Sequence, residues 1–172
     1  LEFNTGDFPS VAAFGDLITI AFEMAKIKTQ LDMISISDLL TGVSNYNYFK
    51  ERIIQEFSRS QRIKSSLSLI IIEIEKFSAI VDKFGYNIGE NILVIVGNLV
   101  KSLVRNVDLA ARLGTDQFVV ILPDTNVESA NLALERYKKG IEKFFSESHD
   151  IPLGIKVICK LGVATAPDNA KS

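Results

Sequence analysis

The stretch ARLGTDQFVVIL, residues 111–122, places two apolar runs on either side of a small polar turn, Gly114-Thr115-Asp116-Gln117. Apolar, β-branched runs joined by a short glycine-bearing turn read as an antiparallel hairpin, with DLAARL and QFVVILP as its arms. Gly114 permits a positive φ and lets backbone approach a phosphate closely. Asp116 sets a carboxylate at the hairpin tip. The plain reading of a Gly-x-Asp turn is a turn and nothing more. Whether it is also a site depends on what lies beside it.

LSLIIIEIE, residues 67–75, is β-branched and almost continuously apolar, which predicts a central strand buried on both faces. It ends in Glu73 and Glu75, two residues apart and so on one face. If this strand lies beside the hairpin, its carboxylates end near Asp116. Two or three carboxylates meeting at a strand end can hold Mg²⁺, which prefers hard oxygen ligands shared with substrate phosphates and water. Such an ion stabilises the charge of phosphoryl transfer. Solvated strand-end charges are the alternative.

Helices surround these strands. The spacing predicts a short helix over 76–84 ended by Gly85. A strong one over 89–104 carries the stripe Ile92, Ile95, Val96, Leu99 and Leu103. A third runs over 127–145 with Leu132, Leu134, Tyr137, Ile141 and Phe144 apolar. IKVICKLGVATA, residues 155–166, reads as a further strand. Upstream, Ser44 or Asn45 can cap a helix that carries Phe49, Ile53 and Phe57. Thr41-Gly42 breaks the helix before it. That first helix spans 14–37, where Leu17, Ile20, Met24, Ile27, Leu31 and Ile34 alternate three and four apart, an a/d seam of almost three heptads. Ile18, Phe22 and Ala25 widen the apolar face, which favours a buried helix over a bare two-stranded coil. Packing on its own domain and pairing with a second chain both stay open. The element order predicts an α+β fold: one antiparallel sheet with helices on one face, plus a long N-terminal helix.

The bulk numbers agree with an ordinary globular domain. Of 172 residues, 47% are hydrophobic and 23% charged, and the formal net charge is −2, which gives no field for nucleic acid or a membrane surface. The single cysteine, Cys159, excludes an intramolecular disulfide and cysteine metal clusters, and fits a reducing, cytoplasmic setting. In its apolar run it reads as a small core residue. His149, in the polar segment SESHD, reads as a loop residue without metal or triad partners. No run reaches the length of a membrane span, and the N-terminus lacks the order of a signal peptide. Leu1-Glu2-Phe3 reads as a cloning scar. Residues 1–8 are therefore set aside as a tail, and the chain is expected to be part of something longer.

Four segments in order, DLLTGVSNYNYF, IIIEIEKFSAIVDKFGYNIGENIL, RNVDLAARLGTDQFVVILP and LGVATAP, resemble the GGDEF domain of diguanylate cyclases from about Asp38 to Pro167. The resemblance implies the nucleotidyl-cyclase relative of the ferredoxin-like fold. It also implies a reaction that joins two GTP molecules into cyclic di-GMP across a dimer, with Mg²⁺. It places the metal on Glu73, the Ile74 carbonyl and Asp116, with Asp116 serving the attacking hydroxyl. GTP would meet Phe77, Ser78, Glu90, Gly114 and Thr115. Arg105 and Asp108, five residues ahead of the signature, would form the RxxD site that binds cyclic di-GMP as inhibitor.

The chain departs from that pattern at several of these positions. The signature reads Gly114-Thr115-Asp116-Gln117-Phe118, so a β-branched residue stands at a phosphate approach and one acid is an amide. Glu73 replaces an aspartate and Ser78 a lysine. Val81 and Glu90 stand where an asparagine and an aspartate read guanine, and Tyr46 follows Asn45 where an arginine is usual. The family's later basic residues belong to a helix beyond Pro167, and with the chain ending at Ser172 a truncated domain, 38–172, is expected. Residues 9–37 loosely resemble the closing helix of a GAF-type sensor running into a signalling coil. The expectation is therefore a catalytically inactive regulatory module that binds cyclic di-GMP or GTP and forms a homodimer through its N-terminal helix. The alternatives are an active cyclase and a silent scaffold.

Overall fold

The computed structural model describes residues 8–34, 36–147 and 155–167, with side chains in the first helix described for residues 13–27. His149 and the tail 1–7 lie outside the described residues. The elements run α1 (Phe8–Ile34), α2 (Tyr46–Ile63), β1 (Leu67–Ile74), α3 (Phe77–Phe84), α4 (Tyr86–Leu103), β2 (Leu109–Arg112), β3 (Gln117–Pro123), α5 (Val127–Glu147) and β4 (Cys159–Ala166). The chain divides into two compact units, Leu1–Ser35 and Ile36–Ser172.

The second unit is built on a four-stranded sheet of order β2-β3-β1-β4, antiparallel throughout. This is the ferredoxin-like arrangement, in which each helical crossover returns the chain two strands away and the hairpin partner fills the gap. Ile70 and Ile72 of β1 pair in register with β3 and β4, and Ile74 with β4; all three point, with Phe118, Val120 and Leu122, into one core closed by α3, α4 and α5. On the opposite face α2 packs across β2, β3 and β1. Ala111, Val119 and Ile121 are buried there. β1 is central, as its composition predicts, but it is not buried on both faces: Ile71 is 44% exposed. The long apolar run makes a pleated strand with one fully dry side, since successive side chains must alternate.

The helix boundaries follow local chemistry. Asn45 caps α2, its Oδ1 accepting from the Tyr48 amide at 2.9 Å. Gly85, at φ 89°, ends α3 by donating to the Val81 carbonyl at 2.8 Å and at once begins α4. α4 therefore starts three residues before the spacing suggests. Its buried stripe is Ile92, Leu93, Val96 and Val100, while Ile95 and Leu99 are only half-buried. In α5 the buried line is Ala130, Ala133, Tyr137 and Ile141, and Leu132 is 74% exposed. Small residues take the core positions because the helix sits close on the sheet. Cys159 packs against the core, and burial pushes its thiol up to about 12.

One expectation about the N-terminal segment changes. α1 ends at Ile34, before Thr41-Gly42; those residues instead close a turn in which the Gly42 amide donates to the Asp38 carbonyl at 2.9 Å. Phe14, Leu17, Ile18, Ile20, Met24 and Ile27 are all exposed, and Phe22 is 76% exposed. The side chains of Leu31 and Ile34 lie outside the described residues.

Candidate functional site

The end of β1 and the tip of the hairpin do lie side by side. β3 is the neighbour of β1, and Glu73 stands directly across from Gln117. The Ile74 amide donates to the Asp116 carbonyl at 3.0 Å, which fixes the tip against the strand end. The Leu113 amide donates to the Gln117 carbonyl at 2.8 Å and closes the turn. Gln117 Nε2 donates to Glu73 Oε2 at 3.0 Å, so the amide of the signature caps the carboxylate at the end of β1. Glu75, just past the strand, pairs with Lys160 of β4 at 3.4 Å. Asp116 is half-buried at the tip.

The donors here fit Mg²⁺. Glu73, Asp116 and the Ile74 carbonyl are hard oxygens, and this ion commonly takes one or two carboxylates and completes its shell with phosphates and water. Among the described residues no group of three or more His, Cys, Asp or Glu gathers to hold a metal alone. Glu73, Ile74 and Asp116 would hold it, the hydrogen bond from Gln117 using only one Glu73 oxygen. The ion would supply positive charge against the phosphates of a bound nucleotide.

A brace that sequence reading does not single out holds the hairpin tip from behind. Arg112, the last residue of β2, donates from Nε to the Gly114 carbonyl at 2.9 Å and from Nη2 to the Thr115 carbonyl at 2.8 Å. Its Nη1 reaches Asp38 Oδ1 at 3.3 Å. The same Asp38 oxygen accepts from Thr41 Oγ1 at 2.6 Å and the Thr41 amide at 2.8 Å. Partial burial works to raise the Asp38 carboxyl, but the Thr41 hydrogen bonds and the Arg112 guanidinium outweigh it and hold the group below its ordinary value. The available signal was an arginine abutting the glycine of the turn.

Beside the tip opens a cleft of about 290 Å³ between α3, α4 and the hairpin. Phe77, Ser78, Val81, Glu90, Arg112 and Thr115 line it. It thus gathers four of the five residues expected to meet GTP; Gly114 is not among its lining residues but is exposed at the adjoining turn. Tyr86 and Leu40 also face it, and neither stood out in the sequence. The cleft exists because α3 and α4 pack closely at Gly89, where an added Cβ would fall 2.6 Å from Val81 Cγ2.

Arg105 and Asp108 sit apart from the cleft, on the turn between α4 and β2. Asp108 Oδ2 accepts from the Arg105 amide at 2.9 Å and lies 3.6 Å from Arg105 Nε. The Asp108 side chain is fully buried, and its Oδ1 has no hydrogen-bond partner among the described residues. The Arg105 side chain is 49% exposed. The pair is a helix-end ion pair with its guanidinium still open to solvent on one side.

Residues 35–172 match the family described as "Diguanylate cyclase, GGDEF domain". Among curated proteins, the chain is 32% identical over 143 residues to diguanylate cyclase DgcS of Shewanella oneidensis, covering 83% of this chain and 46% of that protein. It is 33% identical over 135 residues to diguanylate cyclase DgcP of Pseudomonas aeruginosa, covering 78% of this chain and 20% of that protein. The chain thus spans less than half the length of either relative. Among solved structures, diguanylate cyclase SiaD of Pseudomonas aeruginosa, in complex with its activator SiaC, superposes with a TM-score of 0.69 at 28% identity. That match covers 92% of this chain and 59% of that one.

Proposed function

Because the chain belongs to the GGDEF-domain family of diguanylate cyclases, we propose that it serves cyclic di-GMP signalling as a nucleotide-binding regulatory domain that does not turn GTP over. The observation that carries this reading is the Gln117–Glu73 hydrogen bond. Diguanylate cyclases of the family use Mg²⁺, and here an amide donor occupies one oxygen of the carboxylate that would ligand it. The cleft adds to this. Val81 offers no hydrogen bond to a base edge, a loss on the order of 1–3 kcal/mol when a polar edge goes unsatisfied. Ser78 brings no cation to the phosphates. Space remains, so GTP enters the cleft more weakly than a cyclase needs. Arg105 and Asp108 offer the second place, for cyclic di-GMP, since an arginine suits bidentate capture of phosphate or a guanine edge.

The exposed apolar face of α1 suits pairing with a second copy, with residues 9–37 as a signalling helix following a GAF-type sensor. A cytoplasmic setting goes with the nucleotide ligands. The alternative is an active cyclase in which Asp116 and Glu73 hold Mg²⁺ despite Gln117. The half-buried placement of Asp116 beside the end of β1 favours that reading. Calorimetric titration with GTP and with cyclic di-GMP tests the proposal, with Arg105→Ala as control. Binding of either nucleotide supports it. Binding of neither by a confirmed dimer leaves only the silent scaffold.

A further inference from the structure

Behind α3, on the side away from the nucleotide cleft, lies a separate cavity of about 270 Å³. One face of the eight-residue helix lines the cleft through Phe77, Ser78, Val81 and Asp82. The other lines this cavity through Ala79, Ile80, Lys83 and Phe84. Its opposite wall is the segment before β4, and the Glu75 amide pins that wall to the end of β1 by donating to the Ile158 carbonyl at 2.8 Å.

Three lysines, Lys76, Lys83 and Lys156, line the cavity. None of their ammonium groups forms an ion pair or hydrogen bond among the described residues. The one carboxylate present, Glu75, is paired with Lys160 from outside the cavity lining. The lining therefore holds three positive charges against one carboxylate that is already engaged by Lys160. Three ammonium groups around one concavity repel one another, and an anion supplied from outside relieves that repulsion. The floor is apolar, made by Ile80, Phe84 and Ile158, and Lys83 Nζ stands 5.1 Å above the Phe84 ring. Lysines act on a phosphate as point charges, and an apolar floor favours a ligand with an apolar body.

We propose that this cavity binds a small phosphate monoester carrying an aromatic or apolar body, at a site distinct from the GTP cleft and backed onto the same helix.

Amide NMR titration of the chain with phenyl phosphate, and in parallel with inorganic phosphate, tests this. The expected result is saturable shifts at Lys76, Ala79, Lys83 and Lys156. Phenyl phosphate should bind about tenfold tighter than inorganic phosphate, because the ring is buried on the floor. Lys83 and Lys156 are exposed, so Lys83→Gln/Lys156→Gln keeps the fold, and it should weaken binding at least about tenfold. Equal affinity of the two probes overturns the role of the floor. Shifts that do not saturate, shifts centred on Ser78, Glu90 and Thr115, or unchanged affinity in the double variant overturn the site. The outcome is independent of whether GTP or cyclic di-GMP binds.

Discussion

Replacing Gly97 by alanine tests whether the turn that carries the site is locked through the core. Gly97 is buried on α4, and a Cβ there would fall 2.8 Å from Thr41 Cβ and 3.3 Å from the Thr41 carbonyl oxygen, where ordinary contact begins at 3.4 Å. Neither atom is the far end of a flexible side chain. Thr41 is itself bound to Asp38 at 2.6 and 2.8 Å, and Asp38 to Arg112 at 3.3 Å. Alanine gains about 1 kcal/mol over glycine in a helix interior. Overpacking a closed core costs about 1–3 kcal/mol, and this contact calls for the upper part of that range, because the obstacle is a Cβ and a backbone oxygen. The net expectation is a loss of about 1–2 kcal/mol. Gly140→Ala on α5 is the control: its added Cβ meets only the tip of Leu103, at 3.1 Å, so the helix gain should dominate. Urea unfolding followed by circular dichroism reads both variants. A Gly97→Ala protein as stable as wild type would refute the locked contact from α4 through Thr41 to the hairpin brace.

Other perturbations read the site directly. Gln117→Glu places a second carboxylate opposite Glu73, so without metal it should lower stability by about 0.5–1 kcal/mol, and Mg²⁺ should restore it. Melting curves with and without Mg²⁺ that superimpose would contradict the metal assignment. Asp38 titrates below its ordinary value, so its contribution is present above that value and drains as pH falls through the folded one. Asp38→Asn should therefore be less stable than wild type at neutral pH, with the gap closing on acidification in urea midpoints. Tyr137 has a buried hydroxyl with no hydrogen-bond partner among the described residues, and burial together with the nearby Asp108 carboxylate pushes it up to about 12. Tyr137→Phe should leave stability unchanged or raise it by up to about 1 kcal/mol in the same assay. A clear loss would show that the hydroxyl has a partner after all.

Strands and their order were legible because β-branched runs and one turn leave few topologies for a chain of this length. LSLIIIEIE and QFVVILP could hardly be anything else. The helix stripes were less legible where alanine and glycine do the packing: Ala130, Ala133, Gly89 and Gly97 carry no hydrophobic signal, yet they set the closest approaches. Leu132 carried the signal and faces water. In the site, Glu73 and Asp116 were readable from the strand end and the turn, and Ser78 and Thr115 only from the family resemblance; the structure sets Glu73 beside the hairpin tip and lines the adjoining cleft with Ser78 and Thr115. Arg112–Asp38 could not be read that way. Its partners are 74 residues apart, and only the fold closes the distance.

The central claim is that the GTP cleft persists while turnover does not. Its most direct test is to incubate the protein, in this form and in any longer one, with GTP and Mg²⁺ and to separate the products. The account predicts intact GTP and no cyclic di-GMP. Cyclic di-GMP that accumulates with wild type and disappears with Asp116→Asn would contradict it and establish a working cyclase.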